Sequence, residues 1–144
     1  MPGIDECLLE AMRLPGSLGA AVVDWTSGLA LGTIGESPNN DHEATAAETA
    51  ELARMAAEQP AFAPAPPPVP AATGEIPEAS APAPGEGLPV EDVIVTNRTG
   101  YHILRFVETT FDSSVFLHLW LDRDEGNLAL ARLRLRDLAG RLVL

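Results

Sequence analysis

"GNLALARLRLRDLAGRLVL", residues 126 to 144, decides how this chain folds. From Leu128 to Arg136 leucine and arginine almost alternate, as in a strand with one wet face. The alternation is short, however, whereas Leu128, Ala131, Leu135, Leu138 and Leu142 fall within about 80° of one another at helical spacing. Asn127 stands where a helix cap belongs, so the segment is read as a helix. On it Arg132 and Arg136 flank one edge of the apolar stripe, while Arg134 and Arg141 lie on the far side. The four arginines therefore do not form one basic surface. Leu130, Leu133 and Arg134 are left on the outward face as a candidate patch for partner contact.

Upstream lie three strand-like segments, DVIVT (92–96), YHILRFVE (101–108) and VFLHLWLD (115–122), joined by the turns NRTG (97–100) and TTFDSS (109–114). In the middle one Tyr101, Ile103, Arg105 and Val107 share one face, and His102, Leu104 and Phe106 the other. The last is apolar almost throughout, as in a central strand covered on both faces. Near the N-terminus, IDECLLEAMRL (4–14) has Ile4, Leu8 and Ala11 at helical spacing, with Pro15-Gly16 as a stop. SLGAAVVDWTSGLALGTIG (17–35) is a hairpin, with strands over about 17–24 and 29–34. Gly19, Ala20, Ala21 and Gly32 imply that a helix or another backbone lies close over that part of the sheet.

DHEATAAETAELARMAAE (41–58) is the clearest helix. Its acids and Arg54 gather on one side and its alanines on the other, a face that permits close approach. That face can lie flat on a sheet or meet a copy of itself. The order helix, two strands, helix, three strands, helix makes an α+β domain on a five-stranded antiparallel sheet.

Residues 60–89 interrupt it with 10 of the 13 prolines. Proline removes backbone donors and fixes φ, so neither helix nor strand is expected there. The stretch is read as an extended surface insertion, with PPPVP (66–70) as the core of a possible docking peptide. Residues 1–59 and 90–144 are then two parts of one domain.

Charge and residue types narrow the functions. The formal net charge is -12, lysine is absent, and the excess acid is concentrated in residues 1–92. A general nucleic-acid binder needs the opposite sign. A phosphate loop of the GxxxxGK type is impossible without lysine. His42, His102 and His118 lack metal-ligand spacing. His102 and His118 sit on adjacent strands and could approach one another as structural side chains. The single cysteine, Cys7, is read as a small buried hydrophobe. No enzyme activity, cofactor or metal is expected. Trp120 is a core residue, and Trp25 at the hairpin turn either covers the hairpin end or contacts a partner. Acids stand where a signal peptide has a basic start, and no apolar run approaches the roughly 18 residues of a membrane span. A cytoplasmic protein without membrane insertion is expected.

The helix ending in LPG (14–16), GAAVVDWTSGLALG (19–32), ATAAETAELARMAAE (44–58), DVIVTNRTGYHILRFV (92–107) and FLHLWLDRDEGNLALARLRLRDLAGRL (116–142) together resemble the dynein light chain roadblock family, in its bacterial MglB-like form. The resemblance implies a sheet with the first and last helices on one face and the middle helix on the other. It implies a homodimer through the middle helix and third strand, which here places Ala46, Ala50, Ala53, Ala57, Val93 and Val95 at the interface. The last helix would lie beside the first, with Asp5, Glu6 and Glu10 available to its arginines. It further implies a non-enzymatic module that regulates or scaffolds a small Ras-like GTPase, alongside a sensor kinase-like protein of the same gene cluster. A profilin-like or PAS-like ligand sensor, which needs a sizeable polar pocket, and a self-assembling scaffold are the other readings.

Overall fold

The computed structural model describes residues 3–64, 89–108 and 114–142. Along the chain come α1 (Ile4–Met12), β1 (Ser17–Asp24), β2 (Leu29–Gly35), α2 (His42–Glu58), a 3-10 turn (Pro60–Phe62), β3 (Asp92–Thr96), β4 (Gly100–Val107), β5 (Val115–Asp122) and α3 (Leu128–Arg141). The segment that first looks like an alternating strand is thus a helix. Asn127 caps it, its side chain accepting the Leu130 N–H at 3.0 Å.

The sheet order is β2-β1-β5-β4-β3, every neighbouring pair antiparallel. β5 lies at its centre and is buried over Val115–Leu119, which explains its continuous apolar run. Period-two alternation sends side chains to two layers. Ala20, Val22, Ile103, Val107, Leu117, Leu119 and Leu121 meet Cys7, Leu8 and Ala11 of α1 and Ala131, Leu135 and Leu138 of α3. Ala21, Val23, Leu104, Phe106 and Phe116 meet α2. First and last helices therefore share one face and α2 covers the other. Each fully buried Leu or Phe in these layers contributes roughly 1.5–3 kcal/mol relative to exposure.

The small residues of the first hairpin have the role their size implies. A Cβ on Gly32 would lie 2.6 Å from Ile4 Cγ2 and 3.1 Å from Leu8 Cδ1, so α1 sits directly over β2. α2 begins cleanly because Asn40 adopts φ 54° and Asp41 then accepts the N–H groups of Glu43 and Ala44, both at 3.1 Å.

The segment 60–89 departs from expectation at its start. Pro60–Phe62 form one 3-10 turn, with proline at the first position, where its missing N–H has no partner to lose. The rest of the expected extended insertion, residues 65–88 with PPPVP, lies outside the described residues, as does the turn at 109–113.

Candidate interaction surface

β3 is an edge strand: it bonds to β4 and has no neighbour on its other side among the described residues. Its register, Val93 opposite Leu104 and Val95 opposite His102, turns both valines toward the α2 layer, while Asp92 and Ile94 face the α3 layer. Asp92 is held there by a bidentate ion pair, Arg132 Nε donating at 2.6 Å and Nη2 at 3.2 Å. Beyond this anchored end the edge carries no charge of its own, and Ile94 and Val95 are exposed. An unprotected edge of this kind is a template for pairing with another chain.

Alongside it runs an apolar groove of about 580 Å³ between α2, the 3-10 turn and β3, lined by Leu52, Met55, Phe62, Val90 and Val93. Met55 is 60% and Phe62 59% exposed. Open edge and groove form one continuous surface. Leu52, Met55 and Phe62 are absent from the residues expected at an interface, although they are the large apolar side chains in a stretch otherwise rich in alanine. That size contrast is the available signal.

The expected alanine face is corrected. Ala46, Ala50 and Ala53 are 2%, 0% and 0% exposed, packed with Phe116 and Val23 of their own sheet, and Ala57 lies half-buried at the margin of the same layer. Of the two options open to that face, the helix takes the sheet, because methyl-sized side chains let its backbone approach closely. The part of α2 left for a second copy is the Leu52–Met55 flank. Val93 and Val95 lie on the groove side of β3, Val93 half-buried and Val95 39% exposed.

The patch expected at Leu130, Leu133 and Arg134 is also corrected, because the three do not face the same way. Leu130 packs against the α1/α3 layer and, with Arg134, lines a groove shared with Glu10, Arg13 and Leu138. Leu133, 54% exposed, opens onto a different groove with Arg105, Arg132 and Arg136. Leu133 and Arg134 are successive and so about 100° apart on the helix, and Leu130, about 40° from Arg134, falls on the Arg134 side. Of the acids of α1, Glu10 meets Arg141 at 3.2 Å. Trp25 is half-buried against the α2 layer, and its carbonyl accepts Arg54 Nη2 at 3.4 Å. It thus covers the hairpin end.

His102 Nδ1 lies 2.9 Å from His118 Nε2, and Trp120, half-buried, stacks on His102 with centroids 5.9 Å apart. Burial, then the neighbouring His102 and His42, lower the His118 pKa to about 3, and burial lowers that of His102. Both rings are neutral near pH 7, so one N–H is shared between them. The space beside His118, under Ser37 and Ala46, is about 10 Å³, room for one water molecule. Burial first, then Glu10, pushes the Cys7 thiol up to about 11 against the opposing Arg141, leaving it an unreactive core group. Among the described residues no three His, Cys, Asp or Glu side chains are placed to hold a metal, and no helix is long and apolar enough to cross a membrane.

By sequence alone the chain matches no family model and no curated protein. Solved structures match it over nearly its whole length. It is similar to a roadblock/LC7 domain from Streptomyces avermitilis at 18% identity and TM-score 0.61, covering 96% of this chain and 92% of that one. It is similar to MglB of Myxococcus xanthus at 16% identity and TM-score 0.60, covering 94% and 81%. An MglB described as having a tetrameric arrangement aligns at 17% identity and TM-score 0.64, covering 95% and 82%. Element order, sheet topology and the placement of three helices agree with these likenesses: the chain has the roadblock fold.

Proposed function

We propose that two copies of this chain associate through the β3 edge and the Leu52, Met55, Phe62, Val93 groove, and that the dimer binds a small Ras-like GTPase as a regulator or scaffold. The observation that carries this reading is a sheet edge that, among the described residues, is unpaired and beyond Asp92 carries no charge, lying beside a mainly apolar groove of about 580 Å³. Pairing would satisfy the free backbone groups of β3 and cover Met55 and Phe62 together. A tetrameric arrangement named for one structural neighbour supports self-association of the fold. The roadblock fold supports the GTPase as partner, with the module contributing surface rather than catalytic groups.

Light scattering on the purified chain should give a dimer, and Met55→Glu with Val95→Glu should give a folded monomer. Titration with a small Ras-like GTPase, loaded with GDP or with a non-hydrolysable GTP analogue, should give a complex in at least one state. A stable dimer indifferent to the GTPase in every nucleotide state would leave only the scaffold reading. A monomer with an unchanged surface would remove both. The ligand-sensor reading needs a polar, enclosed pocket, whereas the space at His118 has room for one water, the groove at β3 is mainly apolar, and the polar groove of about 500 Å³ between α1 and α3 is walled by the exposed Arg13, Arg134 and Arg141.

A further inference from the structure

The α3 face holds a second groove, about 400 Å³, lined by Glu91, Arg105, Ala129, Arg132, Leu133 and Arg136. Its chemistry differs from that of the β3 groove. Arg105 rises from β4 beneath α3, and its side chain is only 15% exposed. Among the described residues its Nε is buried with no hydrogen-bond partner, and its ion-pair partner, Glu91, is 74% exposed and 3.9 Å from Nη1. A guanidinium removed from water requires a close, oriented anion, and Glu91 at that distance does not supply one. Arg132 is committed to Asp92, and Arg136, one turn further along α3, has no ion pair among the described residues. Leu133 stands exposed between these arginines.

We propose that this groove receives a carboxylate from an acidic segment of a partner protein, with an adjacent aliphatic side chain of that segment on Leu133. Three arginines face two carboxylates there, a local cationic excess on a chain of net charge -12. Arg105, which lines the groove with Nη1 only loosely paired to Glu91 at 3.9 Å, can donate from its exposed end to a carboxylate, and Arg136 offers a second donor from the solvent side. The exposed leucine beside them selects a peptide over a small anion, which could not cover it. The site shares Asp92 with β3, but its donors, Arg105 and Arg136, and Leu133 line only the α3 groove, so variants at these residues test it separately from the dimer.

The test is fluorescence anisotropy of the full chain with a labelled short peptide in which glutamates flank one leucine. The control replaces the glutamates by lysines. At about 0.15 M ionic strength charges beyond about 8 Å are screened, so contact with the groove is what registers. The acidic peptide should bind and the lysine peptide should not. Arg136→Glu and Leu133→Asp should each weaken binding about tenfold or more. Arg98→Glu, at the β3–β4 turn at the far end of the ladder, should leave it unchanged. Arg105→Met should abolish binding while holding or raising the melting temperature, because it replaces a largely buried, loosely paired charge with an apolar side chain of similar length. A melting temperature that falls for Arg105→Met, or Arg98→Glu acting as strongly as Arg136→Glu, would overturn the proposal. So would absence of binding, or a change of oligomeric state in Arg136→Glu with peptide affinity intact, which assigns the groove to a second copy.

Discussion

His102 and His118 face each other across the β4–β5 ladder with ring nitrogens 2.9 Å apart, sharing a single N–H beneath α2. The unfolded chain carries His118 at its ordinary value of 6.5, whereas the folded chain lowers it to about 3. Between those values the unfolded state binds the extra proton, so stability is full above about pH 6.5 and is lost as pH falls. Going from pH 7 to pH 5 should cost about 2 kcal/mol from His118, with His102 acting in the same direction. Thermal melts should show a drop of about 5–10 °C. A His118→Leu variant, unable to charge, should lose most of that slope relative to the wild type; an unchanged slope would locate the acid sensitivity in the carboxylates.

The burial of α2 separates stability from association. Ala50 has no exposed surface, so Ala50→Leu should overpack the sheet contact and cost about 1–3 kcal/mol in denaturant unfolding. Met55→Glu, at a 60% exposed site, should leave the monomer's stability within about 0.5 kcal/mol and act on oligomeric state alone. The reverse pattern would put the alanine face back at the interface.

Gly16 and Gly140 offer a matched pair. Gly16 has φ +79°, and a Cβ there would sit 2.5 Å from the Gly126 N. Gly16→Ala should therefore destabilise by about 2–3 kcal/mol. Gly140 lies in α3 with no atom within 4 Å of an added Cβ, so Gly140→Ala should stabilise by up to about 1 kcal/mol. Urea unfolding of both variants measures the contrast.

Arg132→Ala should cost about 1 kcal/mol or more, because it strands the Asp92 carboxylate, whose side chain is 9% exposed. Adding Asp92→Asn should recover part of the loss. A double-mutant cycle that sums additively would show the pair to be energetically silent.

Much of the architecture was legible because local patterns and tertiary packing agree. The apolar run at 115–122 could only be a strand covered twice, and the stripe Leu128, Ala131, Leu135, Leu138 persists beyond the alternation that imitates a strand. Val115–Leu119 and Leu121 of the first, and Ala131, Leu135 and Leu138 of the second, are buried as expected, whereas Trp120 and Leu128 are half-buried. The interaction surface was less legible. A periodic alanine face states that something lies close, without stating whether that neighbour is the chain's own sheet or a second copy.

The sequence by itself determined the order of elements and their inward faces, since these follow from backbone periodicity, caps and turn residues acting locally; which helix lies on which face of the sheet came only as what the resemblance to the roadblock family implies. Only the tertiary structure decided that Ala46, Ala50 and Ala53 are spent on the molecule's own core. It alone separated Leu130 from Leu133, and it alone left Arg105 buried with an unused donor. Those facts depend on which distant segments meet, and side-chain burial and charge pairing across a sheet are properties of that meeting rather than of any stretch of the chain.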